Sequence, residues 1–515
     1  MLARVLSACL AGIEAAVVRV EVDVSHGLPS FATVGLPDAA VRESRDRVRT
    51  AIRNSGFEFP VERITVNLAP ADLKKEGASF DLPIALGLLA ATGAVRGERL
   101  AGLLVAGELA LDGAIQPIRG VLPMALAAAR AKLAGILLPP GNAPEAAVVE
   151  GLAAYPVATL VEAAAFLNEE GAPAPFRADP ERLLAGAAGD EVDFGEVRGQ
   201  AHAKRALEIA AAGAHNVLMV GPPGAGKTLL ARRLPTILPA LTLAEALETS
   251  AVWSVAGLLP AQGLVTRRPF RAPHHTISDA GLIGGGNVPH PGEVSLAHHG
   301  VLFLDELPEF HQHVLEALRQ PLEDGAVAIS RASGSVTFPA QCQLVAATNP
   351  CRRGCRTFEA CVCTPAERAR YLGRISRPLL DRIDLQLELP PVPYRELAAE
   401  PSGEESGAIR ERVERARARQ RARFGRGRTR ANAQMGPRQI RRHCPIPPEG
   451  RTLLELAVDR LGLSARAHDR ILKVARTIAD LDGREAIEPQ DISEAIQYRI
   501  LDRWAEASPG RGVRS

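Results

Sequence analysis

Residues 17–24, VVRVEVDV, alternate apolar and polar side chains, the period of a strand with one buried face. A helical stretch, AAVRESRDRVRTAIRNSG, follows. The pattern then gives a strand, RITVNLAP, and an apolar helix, FDLPIALGLLAATG. A strand–turn–strand, LLVAGELALDGAIQPI, leads to the Ala-rich helix VLPMALAAARAKLAG, and ILLPPGNAPEAA opens another strand–loop–helix unit. Residues 1–168 are therefore expected to form one α/β domain. The opening MLARVLSACLAGIEA has the outline of a signal peptide, but Glu14 interrupts it and the alternating strand follows directly. No apolar run approaches the ~20 residues that span a bilayer, so a cytoplasmic protein with no membrane partner is expected.

Residues 169–192 include EEGAPAPFRADPERLLAGAAGD, rich in Pro, Gly and Ala, a linker by composition. A second domain is expected at 193–394 and a helical one at 395–515, after the low-order patch EPSGEESG. The length of 515 residues agrees with two or three domains. Net charge is only +2, so any attraction for nucleic acid must be local. Six lysines stand against 55 arginines, which reads mainly as a compositional bias of the source.

The clearest chemistry lies at Gly221, Pro222, Pro223, Gly224, Ala225, Gly226, Lys227 and Thr228, which fit G-x-x-x-x-G-K-[ST]. A strand, Asn216 to Val220, precedes them and a helix follows. Glycines let the backbone curl so that successive N–H groups face phosphate oxygens, and the helix N-terminus adds partial positive charge. Lys227 is expected on the β- and γ-phosphates of ATP, and Thr228 on Mg²⁺. Val301-Leu-Phe-Leu304 is a buried strand ending in Asp305 and Glu306. Asp305 suits Mg²⁺, and Glu306 suits orienting or deprotonating the attacking water. A third strand ends at Thr348-Asn349, where an amide can sense the γ-phosphate. Arg382, in RPLLDRID, is the candidate arginine finger acting in trans. Arg466, at a helix start, suits a second sensor on the nucleotide.

These motifs resemble the magnesium-chelatase-like branch of AAA+ proteins, and more closely the ComM/YifB family. The segments that carry the resemblance include FATVGLPDAAVRESRDRVRTAIRNSGF, HNVLMVGPPGAGKT, RPFRAPHHTIS, PGEVSLAHHGVLFLDELPEF and RILKVARTIADL, in order along nearly the whole chain. The resemblance implies an N-terminal Lon-protease-like α/β domain, a central AAA+ P-loop αβα domain and a C-terminal helical lid. It also implies Walker A at Lys227 and Thr228, Walker B at Asp305 and Glu306, sensors at Asn349 and Arg466, and a finger at Arg382. A homohexameric ATPase that migrates DNA branches during natural transformation is the implied activity. In the Lon-like domain Ser79 stands at the nucleophile position, but the lysine position is Met124 and no lysine occurs between 76 and 131. A Ser–Lys dyad needs that lysine, so no protease is expected.

Cys351, Cys355, Cys361 and Cys363 are four thiols in a short stretch, able to close a tetrahedral Zn²⁺ site. The alternative is a reduced, metal-free loop. The resembled family carries paired cysteines here, usually with a tighter first pair. Residues 410–442 hold thirteen arginines against two glutamates, either a phosphate-binding surface or a solvated helical face. The resemblance points instead to pore loops: Arg267, Arg268 and Arg271 in one, Arg331 in a Ser-rich hairpin turn in the other. Such contacts would grip single-stranded or branched DNA without reading sequence. His274-His275 and His298-His299, if on strands, would point to opposite faces and make no metal pair. A chelatase-type ATPase that remodels a protein without DNA is the competing expectation.

Overall fold

The computed structural model describes residues 1–499 except 76, 172, 187–191, 287–288, 332–333, 356–360, 399–402, 426, 428 and the terminal 500–515. The first domain is built on a mixed seven-stranded sheet. Its centre is the hairpin Leu2–Ala11 and Glu14–Ser25, paired antiparallel from Leu2 opposite Asp23 to Ala11 opposite Glu14. The leader-like opening is thus an internal strand, with Val5 and Ala8 fully buried. One face packs on the helices Ala39–Asn54 and Asp81–Ala91, the other on Val121–Arg130. The apolar run folds as the helix Asp81–Ala91, buried nearly all round, which explains its lack of a polar stripe.

The composition-based linker is more ordered than expected. The Phe176 N–H donates to Ala154 O at 2.8 Å, joining the chain to the last strand of the first sheet. The helix Pro180–Ala185 is capped by Asp179, and Leu183 and Leu184 pack on the second apolar cluster of the first domain. That cluster also receives Ala246, Ala251 and Leu264 from the domain that follows, so the two domains share a core.

The second domain has five parallel strands in the order Phe270–Arg271, Val301–Leu304, Gln343–Thr348, Val217–Val220, Leu385–Glu388. Three of them, the long apolar runs, are buried at every position, as a parallel sheet covered on both faces requires. The helices Ala201–Gly213 and Lys227–Ile237 cover one face together with lid helices Ser406–Phe424 and Ala465–Leu481.

Several arginines of the arginine-rich stretch are structural. Arg410 donates to Thr236 O, Arg417 to Ala211 O, and Arg423 to Asp480 and Asn432. Arg412 pairs with Glu208 and Glu404. Arg410, Arg412 and Arg417 tie this helix to the parallel-sheet domain and Arg423 ties it to its own helical domain, so these four side chains form neither a free phosphate-binding surface nor a solvated face. Among the described residues no helix is long and apolar enough to cross a membrane.

Candidate nucleotide site

The strand Val217–Val220 lies between two parallel neighbours, and the loop that leaves it stays tied to the sheet: Gly221 N–H donates to Thr348 O at 3.1 Å. Gly224 and Gly226 have φ of +81° and +89°, a left-handed backbone that glycine adopts without strain. Gly226 ends the loop and caps the helix Lys227–Ile237 with no side-chain bond. The N–H groups of its first turn are therefore aimed outward, the arrangement that receives phosphate.

Five predicted side chains meet here. Lys227 Nζ donates to Gly221 O at 2.6 Å, Pro222 O at 2.9 Å and Asn349 Oδ1 at 3.1 Å. Burial lowers its pKa, against the pull of Asp305 and Glu306. Thr228 Oγ1 donates to Asp305 Oδ2 at 2.8 Å. Glu306 has φ +53° and ψ +46°, a conformation uncommon for a residue with a side chain. Its N–H donates to Asp305 Oδ1, and the turn leaves its carboxylate half exposed beside the P-loop. These residues fit a Mg²⁺–nucleotide: oxygen ligands at Thr228 and Asp305, a cation at Lys227, and an open backbone cradle.

Arg382 and Arg466 stand apart from this cluster. The Arg382 guanidinium is buried and ion-paired with Glu323, and it donates to the carbonyls of Arg319 and Pro378. Arg466 is largely exposed and reaches Asp381 at 3.5 Å. One helical turn further, Arg470 pairs with the fully buried Asp384, whose other oxygen lies 3.1 Å from His215 Nδ1 and also accepts from the Asn216 N–H. Burial raises the Asp384 pKa, but Arg470 and His215 more than offset it and hold the carboxylate ionised. This chain of groups links the lid helix to the base of the P-loop strand. The 466–470 helical spacing was its only trace in the sequence.

The DNA candidates divide. Arg268, expected on a DNA-facing loop, is instead an internal brace bonded to the carbonyls of Pro239, His299 and Ala240 and to Glu245. Arg271 forms a two-point pair with Glu293 at 2.6 and 2.7 Å. Arg267 lines a cleft of about 1310 Å³ with Arg177 and Arg182. Arg331 ends the first strand of the hairpin Ala326–Arg331 and Gly334–Pro339, whose turn residues 332–333 lie outside the described ones.

Neither histidine pair lies on a strand, so the opposite-face argument fails. The rings of His274 and His275 are 4.1 Å apart in a loop, with His275 Nδ1 3.7 Å from Glu306 Oε2. His298 and His299 follow the helix Glu293–Leu296 in a turn and converge on Glu248. The ligand atoms of that trio lie within 4.8 Å of one another. A metal is nevertheless disfavoured: the Gln341 N–H donates to His298 Nδ1, so Nε2 carries the proton and offers no lone pair.

The four clustered cysteines do converge. Their Sγ atoms all lie within 4.8 Å of one another, and the Cys355 N–H points at Cys351 Sγ at 3.4 Å. Burial opposes ionisation of Cys351, but that N–H and the neighbouring thiols bring its pKa to about 7. Isolated Cys342, half-buried, and Cys444, buried, are pushed up to about 12 by desolvation. Four converging sulfurs at this spacing fit a tetrahedral thiophilic ion, although burial and the neighbouring thiols push Cys361 and Cys363 the other way, towards the neutral thiol.

Three family models match the chain in order: "Subunit ChlI of Mg-chelatase" at 20–142, "Magnesium chelatase, subunit ChlI" at 193–397, and "Magnesium chelatase, subunit ChlI C-terminal" at 403–499. The competence protein ComM of Haemophilus influenzae is 46% identical over 504 residues, covering 98% of each chain. The chain belongs to the ComM/YifB family. YifB of Escherichia coli is 45% identical over 493 residues, covering 96% of each chain. A shorter match, 31% over 153 residues and 27% of this chain, is to Lon protease 2 of Bacillus subtilis. The ComM/YifB layout is thus an N-terminal Lon-like α/β domain, a chelatase-like AAA+ domain and a helical lid, and its AAA+ class is that of ATPases using ATP and Mg²⁺.

Proposed function

We propose that this ComM/YifB member is an ATP-driven motor on DNA, assembled as a homohexamer, that migrates branches while incoming strands are integrated. The observation that carries the reading is the match along 98% of both chains to a protein named for competence, combined with a nucleotide site whose five polar groups converge. Lys227 binds the β- and γ-phosphates. Thr228 and Asp305 would hold Mg²⁺, which would neutralise charge on the phosphates of ATP, whose γ-phosphorus is the electrophile. Glu306 orients and deprotonates the attacking water, and Asn349 positions it through the same amide that meets Lys227. Arg382 serves the neighbouring protomer's nucleotide after exchanging Glu323 for phosphate oxygen. Arg466, which rests against Asp381, acts from the lid as a second sensor on the nucleotide. The four cysteines hold a structural Zn²⁺.

DNA is gripped through its backbone, by Arg267 and Arg331 with Arg271 as a weaker member. A motor of this kind moves a labelled four-way junction in an ATP-dependent way. Hydrolysis that proceeds at full rate while junctions stay intact defeats the reading. The second reading, a chelatase-type ATPase that remodels a protein without DNA, draws support from the names of all three family models and from the inward-turned Arg268.

A further inference from the structure

We infer that the four-cysteine centre is a brace for the nucleotide site, and that loading it with a thiophilic divalent ion sets the affinity for ATP. This rests on the zinc and ATP readings above. The loop of cysteines leaves the ATPase sheet at Asn349, whose Oδ1 meets Lys227 Nζ at 3.1 Å. Cys351 is two residues further on and buried, so its Cα lies no more than about 7 Å along the chain from that of Asn349.

The first arm rests on the P-loop itself. Gly354 adopts φ +65°, and its N–H donates to Cys351 O at 3.0 Å. A Cβ at Gly354 would lie 3.2 Å from Pro223 Cγ, so the turn between the first two cysteines packs against the loop that cradles phosphate. The second arm returns to the same place. Cys363 leads into Thr364, which caps the helix Pro365–Leu372 in a reciprocal box with Glu367. Near the end of that helix, Tyr371 is buried and hydrogen-bonds with Thr348 and Asn349.

Both ends of the loop therefore converge on Asn349, the second through its backbone, and one arm touches Walker A. An ion bound by all four sulfurs closes the two arms into a short cross-linked ring. Its release frees the ring, and with it the placement of Asn349 and Pro223. Cys351 and Gly354 are positioning residues in this scheme, not groups that touch nucleotide.

The test uses the full chain purified under reducing conditions. Metal content is measured by mass spectrometry, and affinity by titration with a fluorescent ATP analogue, before and after stripping by a thiol-directed mercurial and a chelator. The expected result is one ion per chain, at least a fivefold weaker analogue affinity after stripping, and recovery when Zn²⁺ is returned. Gly354→Ala is expected to keep the ion and still lose affinity about fivefold, which separates bracing from unfolding. Stripped protein that melts cooperatively and binds the analogue as before overturns the brace while leaving the zinc reading intact. Native protein devoid of metal overturns the zinc reading and the brace with it. Metal-loaded protein that binds no analogue at all overturns the ATP reading instead.

Discussion

Thr228 Oγ1 donates to Asp305 Oδ2 at 2.8 Å, so the hydroxyl opening the P-loop helix and the carboxylate ending the strand Val301–Leu304 meet at one point. That meeting follows from sheet order. The strands Val217–Val220 and Val301–Leu304 flank Gln343–Thr348, and a parallel arrangement brings all three carboxyl ends to one edge. Ligand sites in open parallel sheets form at that edge.

Removing the charge at Lys227 tests the phosphate cradle. Lys227→Ala is expected to cost about 2–3 kcal/mol of nucleotide binding, the scale of a charged hydrogen bond. A fluorescent ATP analogue should then bind roughly 30–150-fold more weakly. Unchanged affinity would remove Lys227 from the site.

Glu306→Gln keeps the shape of the turn and loses the base. Analogue binding is expected to stay within a few-fold of the parent, while kcat falls by about 10²–10⁴-fold. Single-turnover hydrolysis with labelled ATP is the measurement, and normal turnover would exclude the general-base role.

Arg382 is held by Glu323 within its own chain, so the action on a neighbour proposed for it would require assembly. Arg382→Ala is expected to leave analogue binding nearly intact and to lower ATP turnover by about 10³-fold, the range of an arginine finger. A lower melting temperature with normal turnover would make it an internal brace only.

The pH dependence of stability is set in part by His298. Burial lowers its pKa to about 4, below the roughly 6.5 of an unfolded chain. The contribution is therefore fully present above pH 6.5 and is lost as pH falls toward 4. By pH 5 the loss is on the order of 2 kcal/mol. Melting temperatures between pH 7.5 and 5 should fall for the parent and fall less for His298→Gln. Parallel curves would place the acid sensitivity elsewhere.

On the proposed reading, Arg331 meets the DNA backbone and no bases. Arg331→Ala is expected to weaken binding of single-stranded DNA equally across sequences and to reduce the log–log salt slope by about 0.7 for each phosphate no longer neutralised. An unchanged slope in fluorescence anisotropy would take the hairpin out of the DNA path.

Motifs with strict local geometry were legible. The P-loop needs glycine where φ is positive, and VLFLDE needs a run apolar enough for a strand covered on both faces. Both stood in the sequence as they stand in the fold. Residues whose role depends on distant partners were not. Arg268 and Arg417 read as free cations because the carbonyls of Pro239, His299 and Ala211 that absorb them are far away in sequence. Arg470 was hidden beside Arg466 because only the packing of the lid decides which one meets Asp384. The two-residue strand Phe270–Arg271 has no period to read. The first strand was masked by a hydrophobic run that mimics a leader.

The most direct test of the central claim is steady-state ATP hydrolysis by the purified protein, without DNA and with single-stranded or four-way-junction DNA, at low and moderate salt. The account predicts several-fold stimulation by DNA, weakened by salt and absent in Arg382→Ala. Hydrolysis that proceeds at the same rate with and without DNA at both salt concentrations would contradict a DNA motor and favour an ATPase that acts on a protein partner.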